Sequence, residues 1–581
     1  MITYFKSHFL LSDSFLGYAA LALVLAAVSF LIYRWALPKP IPGIPYDKKV
    51  ARSIFGNLPE LISWQKVHGR PILYMTDYCR RLGSPLAQVW LGPLRKPALV
   101  LTDFTEIENL TQRRAKEFGR GRDFTQSFRY VVPEFHVALE KEDPRYSANK
   151  DLLKDTMTPT FLQNVSSPQI YMRSTNLVSL WKFKHEHAHG RAFDAFEDIF
   201  SAASDMILAA AIAVNDENSA IVQQLKYLES FDGELPLQFD EKFNSVVFPH
   251  LPDLAHIKGL ERLSHHIGEQ VLSAFPNTMH YYCLLKDKVL RQSYAWVKRF
   301  EAMEIQKSIS RLENKSITSV LDHMVQRERK AADSKGIEPD YFRNGIFDEL
   351  TGYYQAGHET SATTITWTLK FLAQNQDAQD KLRSNLRQYH AEAYQAGRQP
   401  TKEEIAGADI PYLHAIIEET LRMRPPFPAL IRSTLVDTEI MGYRIPKGTT
   451  ILMPSSGPGL DEPAIPVPED LRTKSNITKR RPDWSPEDVH LYNPDRWLKL
   501  DEEFGRLKFD PSAGPMQSFG FGPRQCFGKR LAYIQLRTLV TLLFWNFKFV
   551  ELDGEIASLQ GHESTTLIPN YCYVKLEEVT A

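Results

Sequence analysis

The chain has 581 residues, 43% of them hydrophobic and 24% charged, with a formal net charge of −1. That is an ordinary globular composition, and its near-neutral charge gives no reason to expect a nucleic-acid or acidic partner. The four cysteines, Cys79, Cys283, Cys526 and Cys572, lie far apart. They form no C-x-x-C pair and no zinc-type spacing, which argues against a disulfide scaffold or a multi-cysteine zinc or iron–sulfur site and fits a reducing compartment. Length alone suggests about three or four domains.

The N-terminus departs from this composition. Residues 1–14 read as a short lumenal tail, and residues 15–35 as a membrane anchor. The run FLGYAALALVLAAVSFLIY, Phe15 to Tyr33, contains no charge, and at helical rise it just covers a hydrocarbon core of about 30 Å. Tyr33 and Trp35 stand where an aromatic belt belongs. Arg34, Lys39, Lys48, Lys49 and Arg52 outnumber Lys6 on the other side, which orients the body to the cytoplasm in a single-pass arrangement. A cleaved signal peptide is the competing reading; the length of the run and the lack of an A-x-A site before a mature-looking start speak against it. Residues 36–46, with PKPIPGIP, form a semi-rigid Pro-rich linker, and residues 47–581 form the body. Sequons at Asn109, Asn164, Asn314 and Asn476 are chance matches if that body is cytoplasmic.

Leu86 to Leu101, with Gly92-Pro93 between two apolar runs, predicts a β-hairpin. Ser201 to Val214 predicts an Ala-rich apolar helix, and Asp322 to Ala332 a charged one. Tyr341 to Ala373 reads as one long, nearly uninterrupted helix too apolar to lie wholly on the surface. Asn375 to Tyr389 is amphipathic through Leu382, Leu386 and Tyr389. Leu413 to Met423 is a helix stopped by Pro425-Pro426. A second hairpin is expected around Gly442 and from Tyr443 to Met453, turning at Pro446-Lys447-Gly448. Ser455 to Trp484 is Pro- and charge-rich without periodicity and reads as a surface loop. Gly528 to Phe544 is a further apolar helix. The class is mainly α with small β-sheets.

Four motifs carry chemistry. FGFGPRQCFG, Phe519 to Gly528, fits F-x-x-G-x-R-x-C-x-G. A thiolate, an arginine fork two residues before it and flanking glycines suit a loop that holds a metal macrocycle; a structural cysteine in a Gly-rich turn is the competing reading. Gly522 allows the tight turn, Gly528 lets the next helix approach closely, and Arg524 suits a carboxylate such as a haem propionate. AGHETS places the small pair Ala356 and Gly357, expected to let the helix lie close against a haem face, before the acid–hydroxyl pair Glu359 and Thr360, with His358 a spectator; taken alone, helical Thr and Ser are mostly backbone-bonded. Glu419 and Arg422 form E-x-x-R at i,i+3, one helix face, ordinarily a surface ion pair of little worth. NPDRW, Asn493 to Trp497, adds Arg496.

In this order the four motifs resemble the cytochrome P-450 superfamily of haem-thiolate monooxygenases, membrane-anchored microsomal type, and are similar to fungal enzymes of secondary metabolism. The resemblance spans Ile41 to the C-terminus and implies one large haem domain rather than several. It makes Cys526 the axial thiolate of heme b, Phe519 its aromatic shield, Thr360 the proton-delivery hydroxyl and Glu359 its acidic neighbour. It makes Glu419, Arg422 and Arg496 a triad that locks the fold, and Arg432 in ALIRST a propionate ligand. The W-x-x-x-R of an early helix falls on Tyr146 and Lys150, both substituted. The 455–484 loop is longer than usual, either a tolerated insertion or a membrane or partner contact. Implied partners are O2, a lipophilic small molecule and a separate membrane-bound NADPH-dependent flavoprotein reductase at the endoplasmic reticulum membrane. Lys529 and Arg530 are either a docking pair for that reductase or a solvated basic pair. Two other readings stay open: a haem-thiolate isomerase or dehydratase acting on hydroperoxides without O2, and a non-catalytic haem sensor.

Overall fold

A computed structural model describes the backbone of residues 2–231, 233–271, 273, 275–314, 316–472 and 480–579, with the side chains of residues 2–17, 122 and 123 outside the description. The sequon at Asn476 therefore lies outside the described residues. Asn109 is buried and bonded to Arg113 through its Oδ1 at 3.1 Å, so it offers no acceptor for a glycan.

Helices dominate. The first runs without interruption from Ile2 to Ala36, so the expected tail and anchor are one rod. Its stretch Tyr18–Ala36 is long and apolar enough to cross a membrane and is almost wholly exposed, touching the body through the Tyr33 hydroxyl, which donates to the Arg52 carbonyl at 2.6 Å. The expected linker is partly docked: Gln88 Nε2 donates to the carbonyls of Ile41 (3.0 Å) and Ile44 (2.8 Å), and Ile41 N–H donates back at 2.8 Å. Both isoleucines join the core beneath the larger sheet.

The helical core is built around Phe196–Ile212, whose alanines are almost fully buried. Small side chains there let the Ser167–His187, Asn344–Gly357 and Glu359–Gln374 helices approach closely. The last of these is buried from Ser361 to Leu372 although rich in threonine. Thr363, Thr364, Thr366 and Thr368 donate their hydroxyls to carbonyls three or four residues back, at 2.7 to 2.9 Å. Self-satisfied hydroxyls carry no desolvation penalty, so this β-branched stretch can sit in the core.

Five strands form one sheet in the order Leu86–Val89, Ala98–Leu101, Thr450–Pro454, Ala429–Thr434, Phe118–Gly119. The first two form the expected hairpin, with Leu86 opposite Leu101 and Val89 opposite Ala98. Two-stranded pieces complete the β content.

Four expectations need correction. The Tyr341–Ala373 helix is two helices, Asn344–Gly357 and Glu359–Gln374, broken at His358, whose ψ of −76° tilts the ladder. Gly357 and a stack of the His358 ring on Tyr354, at 5.1 Å, stand at the break. The second hairpin does turn at Gly442, but Tyr443–Ile445 pairs with Thr438–Ile440. Met441 and Gly442 both have positive φ, 50° and 77°, as a two-residue turn between twisted strands requires. Thr450–Pro454 instead enters the larger sheet beside Ala429–Thr434 and Ala98–Leu101, so Pro446-Lys447-Gly448 links two sheets. Tyr389 is exposed, while Leu382 and Leu386 are buried. Finally, the 455–484 segment is not merely surface: Ser455, Ser456, Leu460 and Trp484 are buried. Arg472 also clamps Asp103 with bonds of 3.1 and 2.8 Å.

Candidate functional site

The cysteine loop is anchored from three sides. Cys526 N–H donates to the Phe519 carbonyl at 2.8 Å, which closes the loop on itself. Ser518 Oγ donates to the Leu421 carbonyl at 2.7 Å, tying the loop to the Glu419 helix, and Gln517 reaches the carbonyls of the Thr450–Pro454 strand. Gly522 has φ +66°, and a Cβ there would stand 2.3 Å from the Thr111 carbonyl oxygen. Only glycine fits that position. At Gly528 no protein atom lies within 4 Å of where a Cβ would sit. The Phe519 ring packs on Tyr533 at 5.2 Å, and the Lys529 ammonium lies 5.3 Å over it.

The Cys526 side chain is accessible, yet burial pushes its thiol up, with the Gly528 N–H and the charges of Lys529 and Arg120 acting the other way. Accessible surface inside surrounding protein describes a side chain that lines a hollow. Cys79 and Cys572 are buried, with burial pushing the Cys79 thiol up to about 12, so neither is placed to ligate.

Arg524 brings a concentration of positive charge beside this loop. Its guanidinium stacks 4.9 Å over the Tyr146 ring, and its buried Nη1 has no partner. Arg432 donates only to the carbonyl of Ile431, at 2.8 Å; burial and Arg524 press it down to about 10. Arg120 donates to the Val137 carbonyl at 2.6 Å and is pressed down to about 9 by burial, Arg524 and Arg432. Lys150 lies 3.5 Å from the Tyr146 hydroxyl. Three arginines held together with no ion-paired carboxylate among their described partners are a binding site waiting for anionic groups. A haem with two propionates and a thiolate-ligated iron fits this donor set.

The structure thus brings Tyr146, Lys150, Arg432 and Arg524 together and adds Arg120, which sequence reasoning missed. Arg120 lies in EFGRGRDF, beside the Phe118–Gly119 edge strand, and no motif marks it. At the end of the helix before Thr360, Ala356 is exposed between half-buried Gln355 and Gly357. A Cβ on Gly357 would strike Ile207 Cδ1 at 2.4 Å, so the close approach that glycine allows is to the Ala-rich helix. Thr360 donates its hydroxyl to the Ala356 carbonyl at 2.8 Å, leaving its lone pairs as acceptors. Glu359 accepts from Thr566 Oγ1 at 2.7 Å, and burial pushes its carboxyl above the usual range. Thr566, on the turn between the Gly561–Glu563 and Leu567–Pro569 strands, was also missed. Ser361 donates to Gln535 at 2.8 Å, joining this helix to the one that follows Cys526. His358 bonds the Phe200 carbonyl at 3.1 Å and burial presses it down to about 4.

Glu419 is the hub of a buried network. It accepts from Arg422 at 2.7 and 2.8 Å, Arg496 at 3.1 Å, the Asn493 N–H at 2.8 Å and the Trp497 indole at 2.9 Å. Arg422 also reaches the carbonyls of Leu460 at 2.5 Å, Val489 at 2.7 Å and Leu491 at 3.1 Å. The pair that would be weak on a surface is fully buried here. Leu460 belongs to the long 455–484 segment, so one end of that segment is part of the lock.

Comparison with known proteins matches this geometry. The family model described as "Cytochrome P450" covers residues 48–472 and 484–575. The chain is a cytochrome P450. It is similar to "Cytochrome P450 monooxygenase GME11363" of Pestalotiopsis microspora, 33% identical over 98% of this chain and 99% of that one. It is also similar to "Cytochrome P450 monooxygenase TRI13" of Fusarium sporotrichioides, 32% identical over 97% and 99%. Among solved structures, the cytochrome P450DA heme domain superposes with TM-score 0.64 at 17% identity, covering 94% of this chain and 98% of that one. As a P450 the chain is an oxidoreductase that binds haem through a cysteine thiolate and acts on a small molecule with O2 and a redox partner.

Proposed function

We propose that this P450 is a membrane-tethered monooxygenase that inserts one atom of O2 into a lipophilic substrate of secondary metabolism. A separate membrane-bound NADPH-dependent flavoprotein reductase supplies its electrons. The observation that carries the reading is the intact acid–hydroxyl pair, Glu359 and Thr360, opening a helix directly after a break and joined through Ser361 and Gln535 to the helix of the cysteine loop. Full-length similarity to fungal proteins named monooxygenases supports it. The apolar Tyr18–Ala36 rod followed by basic residues supports an endoplasmic reticulum anchor with a cytoplasmic body.

Haem, when bound, supplies the oxygen-activating chemistry; the residues position it and handle protons. Cys526 would ligate the iron, and Arg120, Arg432 and Arg524, with Tyr146 and Lys150, would hold the propionates. Thr360, whose lone pairs are free to accept, would take a hydrogen bond from a water in the pocket. Glu359, its carboxyl pushed above the usual range by burial and steadied by Thr566, would pass protons toward that water.

Two experiments follow. Reconstituted with reductase and NADPH, Thr360→Ala should keep consuming NADPH while product per NADPH falls by at least about tenfold. Unchanged coupling would remove Thr360 from proton delivery, and wild-type turnover of a hydroperoxide without NADPH or reductase would favour the isomerase reading. Arg120→Ala should lose haem to apomyoglobin at least about tenfold faster, the loss of a charged hydrogen bond, with Arg120→Lys in between. A transfer rate equal to the parent's would rule out a propionate role.

A further inference from the structure

Away from the cysteine loop, the described residues bring His266, Glu269 and Cys283 together with donor atoms all within 4.8 Å of one another. His266 and Glu269 stand three apart on one face of the Ala255–Val271 helix, and Cys283 stands three after His280 on the next helix, Pro276–Lys286. Glu269 Oε1 faces Arg262 at 3.1 Å and His265 at 3.2 Å, while Oε2 faces His266 Nδ1 at 2.7 Å and Cys283 Sγ at 3.6 Å, with Arg262 reaching it at 3.3 Å. Arg262 is itself shared with Asp287 at 2.7 Å. His266 is fully buried, and its Nε2 lies 3.0 Å from His280 Nδ1 and 3.4 Å from Gln270 Nε2.

We propose that His266 Nδ1, Glu269 Oε2 and Cys283 Sγ form a site for a divalent transition metal of the zinc class, clipping these two helices together. Imidazole, carboxylate and thiolate are the zinc donor types. Zn–S near 2.3 Å and Zn–O near 2.1 Å at a tetrahedral angle put sulfur and oxygen about 3.6 Å apart, the separation already present. The His266–Glu269 hydrogen bond has to open to about 3.3 Å, and the Nδ1 proton that makes it gives way to one on Nε2, which donates to His280 Nδ1. His280 completes the arrangement as the partner of the other ring nitrogen, the device that orients a ligating histidine. Burial works against the Glu269 charge, but His265, His266 and Arg262 outweigh it and hold the carboxyl well below its usual range. Burial and the Glu269 carboxylate push the Cys283 thiol up, so metal binding displaces its proton to solvent. One carboxylate and one thiolate then neutralise the dication. The fourth position is left to water.

The test uses full-length holoenzyme in detergent, stripped with EDTA, given one equivalent of ZnCl2 and exchanged into metal-free buffer before elemental analysis. The wild type should keep one zinc per chain beside its haem iron, and zinc should raise its melting temperature. Cys283→Ser and Glu269→Gln should hold zinc at least tenfold more weakly, with iron content unchanged and no zinc-dependent shift in melting. Zinc at background in the wild type, or zinc held equally by Cys283→Ser, would overturn the site. Cys283 is only half-buried, so its serine variant folds even if a change at buried His266 does not.

Discussion

Glu419→Ala is expected to leave little haem-loaded, folded protein. The carboxylate receives five N–H donors, and its loss strands the Arg422 guanidinium, fully buried, without a counter-charge. Breaking a buried pair from one side costs about 3–5 kcal/mol, against a total stability of about 5–15 kcal/mol for a typical domain. The damage would spread by defined routes. Arg422 holds the Leu460, Val489 and Leu491 carbonyls, and the same helix holds the cysteine loop through Leu421 and Ser518. Haem content and a thermal melt read the result; Glu419→Gln, which keeps the shape and one acceptor, should fall between. An alanine variant that melts with the parent and carries full haem would show that the network is not what holds the loop.

Cys526→Ser should behave in the opposite way. The loop's shape comes from backbone and neighbours: the Cys526 N–H on Phe519, the Ser518 hydroxyl on Leu421 and the glycine-only position at Gly522. The sulfur contributes none of these bonds, so the haem-free chain should melt within a few degrees of the haem-free parent. Replacing the soft thiolate with a neutral hydroxyl should abolish the red-shifted Soret band of the reduced carbon monoxide complex and reduce monooxygenation to background. A surviving thiolate-type spectrum would move the ligand to another cysteine. The pair of variants separates what builds the loop from what the loop presents.

Short-range signals were legible because local physics sets them. The Gly522 turn, the Pro425-Pro426 stop after Met423 and the charge-free N-terminal helix follow from backbone geometry or from apolar length. The E-x-x-R spacing puts Glu419 and Arg422 on one face, as seen. Periodicity failed where a neighbour, not the chain itself, decides. The 341–373 stretch reads as one apolar helix, yet it breaks at His358, where Ile207 fills the space beside Gly357 and the imidazole bonds Phe200. The Tyr443–Ile445 strand found its partner on the other side of Gly442, because Thr450–Pro454 gained more by entering a larger sheet.

By itself the sequence determined the family, the cysteine, the acid–hydroxyl pair and the apolar N-terminal rod, since each is a motif or run written in consecutive residues. Only the tertiary structure decided that Arg120 joins Arg432 and Arg524, that Thr566 steadies Glu359, and that Leu460 belongs to the Glu419 lock. Those pairings unite residues more than a hundred positions apart, or, for Leu460, a backbone carbonyl with no side-chain signature. Their energy comes from desolvated charge, which exists only once the fold has excluded water from the site.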